Sequence, residues 1–172
     1  NRAERARRIK TAGGVEQALT TGKLPPFIDT TVSEALILGL LLQGVRKFIS
    51  VLGHGSTENG EVLRIYQEAG LCRVFGVRSE VEASHAASAL KWMSGEKAAV
   101  VTSIGPGALH ALAASLVPAS DGLGVWYLLG DETTEDEGYN MQQIPRLRQN
   151  AYLQLFSVMG EAYTLHTPLA LS

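Results

Sequence analysis

Apolar residues along the chain fall into two kinds of segment, longer stretches with helical spacing and short runs rich in strand formers. Such short runs, bounded by glycine or polar residues, are typical of parallel strands covered on both faces. They lie at residues 47–52, 72–76, 97–102 and 124–129. Because helical and strand segments alternate with short connections, we predict an α/β fold, a three-layer open parallel sheet with helices on both faces.

The helical segments fill the intervals between these strands. Residues 31–34 have the Thr-x-x-Glu form of a capping box, so a helix is expected from there to about Gln43, where Gly44 ends it. The spacing of apolar residues predicts the other helices at 58–69, 80–93, 108–118 and 141–158, with a last edge strand at 161–165.

The N-terminal part of the chain has a different pattern. Residues 2–20 predict a basic amphipathic helix interrupted around Gly13 and Gly14, and the prolines within 21–29 indicate a linker. We therefore divide the chain into an arm and linker at 1–29 and a domain at 30–172. The basic face is interpreted as a solvated face of an arm that packs on the domain or a neighbouring subunit, with an acidic partner as the alternative.

Composition excludes several classes of protein. The 172 residues are 45% hydrophobic and 19% charged with a net charge of -2, as in an ordinary globular domain, and nothing indicates nucleic-acid binding. Cys72 is the single cysteine, which excludes a disulfide framework and fits a cytoplasmic protein. No apolar stretch reaches the ~18 residues of a membrane span. The chain begins at Asn1 rather than Met, so it could be a piece of a longer protein.

Glycine-rich and polar motifs follow each predicted strand. Ligands of open parallel sheets bind at the carboxyl ends of the strands, so these motifs are expected at one binding edge. In chain order they are Gly53-His54-Gly55, Arg78-Ser79-Glu80, Ser103-Ile104-Gly105-Pro106-Gly107 and Gly130-Asp131.

Two glutamates open the helix predicted at residue 80. Ser79 and Glu82 form a capping box, which gives Glu82 a structural role. Local pattern alone favours Glu80 as a surface residue that interacts with the helix dipole. The residues at 83–89 are almost all small, so another backbone or a ligand can approach this helix closely.

Other familiar motifs are absent from the sequence. It has no dinucleotide-binding glycine motif, no P-loop and no Gly-x-Ser-x-Gly elbow. His54, His85 and His110 lack metal-ligand spacing, and a hydrogen-bonded structural role is favoured for each. The acidic run at 131–137 is interpreted as a solvated loop rather than a cation site.

The ordered combination of motifs resembles the N-terminal pyrimidine-binding (PYR) domain of thiamine-diphosphate-dependent enzymes, a domain of flavodoxin-like topology. The likeness covers about residues 30–165 and is strongest to the acetolactate synthase group. The Gly53-His54-Gly55 loop and the extra Ile104 are similar to trihydroxycyclohexanedione hydrolases. The motifs are Arg78-x-Glu80-x-x-Ala83-x-His85-x-Ala87, then Val100-Val101-Thr102-Ser103-Ile104-Gly105-Pro106-Gly107-Ala108, then an apolar strand ending at Gly130.

The resemblance implies a catalytic role for Glu80. In this family the corresponding glutamate lies in a dry pocket, hydrogen-bonds a ring nitrogen of the cofactor aminopyrimidine and favours its imino tautomer. His54 and His110 could then face the substrate. The implied cofactor-binding residues are His54, Thr102, Ser103, Gly105, Pro106 and Gly107.

The resemblance also implies that the chain supplies half of a site. The family holds the diphosphate and its Mg²⁺ through a Gly-Asp-Gly motif in a separate diphosphate-binding (PP) domain, and no such motif occurs here. The expected partners are a PP domain, of the same or another chain, and further copies in a homodimer or tetramer. No metal ligand is expected in this chain, and the isolated chain is expected to be inactive.

Three functions stay open at this point. The first is the N-terminal domain of a carboligase, decarboxylase or C–C hydrolase that makes or breaks bonds next to a carbonyl. The second is a separate PYR subunit of a two-chain decarboxylase. The third is a non-catalytic flavodoxin-like binding or assembly module, in which Glu80 would be dispensable and residues 1–20 would bind a partner.

Overall fold

A computed structural model describes residues 1–131 and 151–165 of the chain. Helices and strands alternate through most of this length, as the sequence predicts. In chain order the elements are α1 (Arg2–Ala12), α2 (Val15–Thr20), α3 (Val32–Leu42), β1 (Lys47–Val51), α4 (Thr57–Glu68), β2 (Arg73–Gly76), α5 (Glu80–Ser94), β3 (Ala98–Thr102), α6 (Pro106–Asp121), β4 (Trp126–Leu129) and α7 (Ala151–Phe156).

The strands form one parallel sheet in the order β2-β1-β3-β4. Lys47 of β1 aligns with Arg73 of β2 on one side and with Ala98 of β3 on the other, so all three strands start level. Ala99 of β3 aligns with Trp126 of β4. This arrangement of a parallel sheet between helices confirms the predicted α/β fold class.

Alternate residues of the central strands enter two separate cores. Phe48 of β1 and Val101 of β3 pack against α3 and α4, in a cluster that also contains Tyr66. Ile49 of β1 and Val100 of β3 pack against α5 on the opposite face. Both faces of β3 are therefore buried, which explains why residues 98–101 are all apolar.

The N-terminal arm packs on the α3 and α4 side. Helix α1 ends at Gly13, whose φ of 97° is left-handed, and α2 begins two residues later, which confirms the predicted interruption. Ala6 and Ile9 are fully buried in the same core as Tyr66. Two basic residues of α1, Arg2 and Arg5, face the domain and form ion pairs with Glu34, whereas Arg7 and Arg8 are exposed.

Two boundaries differ from the sequence prediction. Helix α6 begins at Pro106, because proline suits the first helical position, and it continues past Pro118 to a left-handed C-cap at Gly122. Residues 161–165 form no strand, so the predicted edge strand is wrong; polar and apolar alternation makes a strand only where a partner strand pairs with it. Residues 141–150 of the predicted last helix and the acidic residues 132–137 lie outside the described residues.

No helix in the described ranges is both long enough and apolar enough to cross a membrane.

Candidate functional site

The carboxyl ends of the strands form the edge of the sheet where the polar loops meet. Strand β1 lies between β2 and β3, so the chain leaves β1 for one face of the sheet and leaves β3 for the other. A crevice opens where the connections diverge in this way, and it is the usual ligand site of an open parallel sheet. The loops at 53–56 and 103–105 border this crevice.

Backbone hydrogen bonds fix these loops to one another. The Ile104 amide donates to the His54 carbonyl at 3.1 Å, and the Gly130 amide donates to the Thr102 carbonyl at 3.2 Å. The Thr102 hydroxyl donates to the Ser103 carbonyl at 3.0 Å. Hydrogen bonds within the chain therefore define the geometry of the loop after β3.

Gly55 permits the close approach of three loops. Its φ is 75°, and a Cβ atom placed on it would lie 2.2 Å from Ile104 Cγ2 and 2.9 Å from the Asp131 amide nitrogen. Any side chain here would push the loops apart and strain the backbone. The glycine that follows His54 is thus required by packing.

The two glutamates at the start of α5 differ in surroundings. Ser79 is the N-cap and accepts a hydrogen bond from the Glu82 amide at 3.2 Å, as the capping box predicts. The Glu82 carboxylate accepts from the Arg78 amide rather than from the Ser79 amide. Glu82 is exposed, whereas Glu80 is only 7% exposed. The surface position that local pattern favours for Glu80 is therefore wrong.

The Glu80 carboxylate points at the glycine turn after β3. Its Oε2 atom lies 3.1 Å from Nδ1 of His110. A Cβ atom on Gly107 would lie 2.9 Å from Glu80 Oε1 and 2.3 Å from the Ser103 hydroxyl oxygen. Glu80, Ser103 and Gly107 therefore converge on one place, and only glycine fits at 107.

Close packing of two helices brings Glu80 to this place. Ala83 and Ala87 of α5 are fully buried, and the Ser84 hydroxyl donates to the Ala111 carbonyl of α6 at 3.4 Å. The small residues of α5 thus allow the close approach that the sequence indicated. Sequence reasoning missed the contact between Glu80 and His110, since the register between two helices leaves no local pattern in the chain.

The other predicted site residues occupy different positions in these loops. Gly105 is the N-cap of α6, with a φ of 60°, and Pro106 is exposed at its first position. Thr102 is fully buried, and its hydroxyl is used within the loop. His54 is exposed and contributes its backbone carbonyl to the loop contact.

A buried carboxylate beside a glycine opening can recognise a flat polar ring. Ionised, it accepts a hydrogen bond from a ring N–H, and protonated, it donates one to a ring nitrogen. Glycine and proline next to it expose little side chain, so a ring can lie against the backbone. Among residues 1–131 and 151–165, no cluster of three or more His, Cys, Asp or Glu residues could hold a metal ion.

The family model described as "Thiamine pyrophosphate enzyme, N-terminal TPP binding domain" matches residues 30–168, which is most of the chain. The chain belongs to this family. The predicted PYR domain is confirmed at this level, and the thiamine pyrophosphate enzyme family supports thiamine diphosphate as cofactor and implies a partner PP domain. A search of curated proteins found no match.

Proposed function

We propose that the chain is the N-terminal domain of an acetolactate synthase-like enzyme that makes or breaks C–C bonds next to a carbonyl, and that Glu80 is its catalytic residue. The observation that carries the proposal is the buried Glu80 carboxylate at the crevice edge, with Oε1 beside Gly107 and Ser103. Family membership makes the thiamine-diphosphate aminopyrimidine the ring to be recognised.

The residues at this edge fit that ring. Gly107 has no side chain to cover Oε1, so Oε1 and the Ser103 hydroxyl lie close to the backbone of the turn, and Gly105 and Pro106 continue this wall of backbone and proline ring. Ser103 offers a hydroxyl at the same place. Thr102 and the His54 carbonyl act by holding the loop in shape.

When bound, the cofactor supplies a nucleophilic carbon, C2 of its thiazolium ring, for addition to a carbonyl. Glu80 hydrogen-bonds the pyrimidine ring nitrogen and holds or accepts a proton there. Its 7% exposure keeps water away from that hydrogen bond, which strengthens it. The contribution of this chain is therefore orientation of the ring and control of its protonation.

The rest of the site is proposed to come from outside the chain. A PP domain of the same or a partner chain would bind the diphosphate and Mg²⁺, and the active form would be a cytoplasmic homodimer or tetramer. The isolated chain would then be inactive. Calorimetric titration of the isolated chain with thiamine diphosphate in the absence of Mg²⁺ tests this, because micromolar binding would contradict a half-site.

Deuterium exchange at C2 of the cofactor tests the role of Glu80 in the full-length enzyme. We expect Glu80→Gln to slow exchange by about 10²–10⁴-fold, the usual contribution of a general acid–base group. Glu82→Gln is the matched control, because Glu82 lies in the same helical turn but is exposed and serves as a cap. Exchange at the wild-type rate in Glu80→Gln would overturn the proposal.

Two observations separate this function from the alternatives. An open reading frame that continues into a Gly-Asp-Gly motif favours a domain of one chain, and a stop codon favours a separate PYR subunit. A non-catalytic module requires that Glu80→Gln is tolerated while removal of residues 1–20 abolishes partner binding.

A further inference from the structure

The Glu80 carboxylate has one side-chain neighbour that the proposed function does not use. His110 of α6 places Nδ1 3.1 Å from Oε2, and no other hydrogen bond to this carboxylate occurs within residues 1–131 and 151–165. The His110 side chain is 63% exposed, whereas the Glu80 side chain is 9% exposed. The histidine therefore sits at the mouth of the site and contacts the buried acid from outside.

The two carboxylate oxygens have different surroundings. Oε2 faces His110, and Oε1 faces the space that a Cβ atom of Gly107 would fill. A carboxylate held by one oxygen cannot turn freely, so the other oxygen keeps a fixed direction. Here the fixed direction is toward Gly107 and Ser103, where the cofactor ring is proposed to bind.

The contact also fixes the histidine. When the Glu80 carboxylate is ionised, Oε2 only accepts hydrogen bonds, so the Nδ1 atom of His110 is then the donor. The hydrogen bond of one ring nitrogen decides which tautomer of a neutral imidazole is present. Beside an ionised Glu80, the contact therefore favours the Nδ1–H tautomer of a neutral His110, in which Nε2 is the acceptor.

We propose that His110 is a positioning residue, which through its Nδ1–H holds Glu80 so that Oε1 is presented to the cofactor pyrimidine nitrogen. This inference rests on the proposed function of Glu80. It assigns to His110 a role that acts through the carboxylate and requires no contact with the substrate.

The tautomer of His110 tests the contact in the cofactor-free chain. Imidazole ¹⁵N NMR, recorded above the pH range in which histidine titrates, distinguishes Nδ1–H from Nε2–H. We expect Nδ1–H at His110 and its loss in Glu80→Ala. His85, exposed on α5, is the internal reference and should have the same spectrum in both proteins. An Nε2–H tautomer at His110 of the wild type would overturn the inference.

Three variants test the role in the full-length enzyme. Asparagine can place its amide nitrogen near the position of Nδ1 and keep a donor, whereas leucine of similar bulk removes it. His110→Leu should slow C2 deuterium exchange about tenfold, the usual worth of a hydrogen bond to a charged group, and His110→Asn should restore exchange to within about threefold of wild type. His85→Leu should leave the rate unchanged.

The outcomes separate this inference from the proposed function. Slow exchange in Glu80→Gln with wild-type exchange in His110→Leu would overturn the role of His110 and leave that of Glu80 intact. Equal rates in the leucine and asparagine variants would also overturn it, because the donor would then be irrelevant. Wild-type exchange in Glu80→Gln would overturn the proposed function itself, whatever the tautomer of His110.

Discussion

Two buried glutamates, Glu34 and Glu80, lie in the first turns of helices with hydroxyl N-caps, yet their surroundings differ. Glu34 is 2% exposed and Glu80 is 7% exposed. Thr31 caps α3 and Ser79 caps α5 in the same manner, each accepting a hydrogen bond from the third helical residue. Burial and capping therefore do not distinguish the structural carboxylate of Glu34 from the proposed catalytic carboxylate of Glu80.

The hydrogen bonds around each carboxylate make the distinction. Glu34 receives hydrogen bonds or ion pairs from four side chains, which belong to Arg2, Arg5, Thr30 and Tyr66. Burial alone would raise the pKa of Glu34, but the bonds from these four groups outweigh it and lower the pKa to about 2.

Glu80 contrasts with this arrangement. His110 is its one hydrogen-bonding partner among the described residues, and Oε1 faces the glycine turn. A carboxylate with a free direction of approach can bind a ligand, whereas Glu34 is already fully engaged. Unused hydrogen-bonding capacity at the carboxyl end of the strands is thus the feature that supports the proposed role of Glu80.

The largest effect that would sharpen this comparison is expected from Gly107→Ala. The new Cβ would displace the Glu80 carboxylate or Ser103, and a displacement of about 1 Å at a reacting group costs on the order of 10²-fold in rate. C2 exchange in the full-length enzyme measures this loss. Gly39→Ala in α3 is the control, because nothing lies within 4 Å of its Cβ position; it should stabilise the fold by about 0.5–1 kcal/mol. Undiminished exchange in Gly107→Ala would break the comparison.

The next effect is on stability and concerns Glu34. We expect Glu34→Gln to cost about 3–5 kcal/mol in the free energy of unfolding, because it removes the buried carboxylate that is the ion-pair partner of Arg5 and one of the two partners of Arg2. Urea denaturation measures this. Glu58→Gln is the matched control: Glu58 also pairs with Arg2, at 2.6 Å, but is 47% exposed and should contribute at most about 1 kcal/mol. An equal loss of unfolding free energy in Glu34→Gln and Glu58→Gln would contradict a special structural role of the buried Glu34 carboxylate.

The same residue predicts a pH dependence of stability. The pKa of Glu34 falls from its ordinary value of 4.5 to about 2 on folding, so the unfolded chain binds a proton more readily than the folded one. The contribution, about 3 kcal/mol, is therefore complete above pH ~4.5 and lost as the pH falls toward ~2. Unfolding free energies measured across this range should fall less steeply in Glu34→Gln. Parallel curves would show that other groups dominate acid unfolding.

The smallest effect compares the two N-caps. Ser79→Ala should cost about 1 kcal/mol, the usual value of a capping hydroxyl. Thr31→Ala should cost more, since the Thr31 hydroxyl also accepts from Arg2 at 3.2 Å and donates to Glu58 at 3.1 Å. The denaturant midpoints of the two variants show which loses more stability. A larger loss in Ser79→Ala than in Thr31→Ala would contradict the prediction.

Local features of the fold could be predicted from the sequence. The caps at Thr31 and Ser79, the break at Gly13 and the apolar strands depend on neighbouring residues, whose spacing is visible in the chain. The glycine turn at 105–107 could also be predicted, because glycine allows backbone conformations that other residues avoid and proline fixes its own φ angle.

Features that depend on distant contacts could not be predicted in the same way. Glu34 and Arg2 are 32 residues apart, and Glu80 and His110 are 30 residues apart; no pattern near either residue indicates its partner. The burial of Glu80 follows from the packing of α6 on α5, whereas helix propensity alone places it on the surface. The helix predicted at 108–118 extends to Asp121, and Gly122 is its C-cap.

The position of β1 in the middle of the sheet determines when the domain can acquire its site. One edge of β1 pairs with β2, which follows β1 after a single helix. The other edge of β1 pairs with β3, which is more distant in the chain and begins at Ala98. Ser103, Gly107 and His110 follow β3 in the chain, and the pairing of β3 with β1 is what places them near Glu80. A chain that ends before β3 would therefore lack both the partner for one edge of β1 and the residues that surround Glu80 in the crevice.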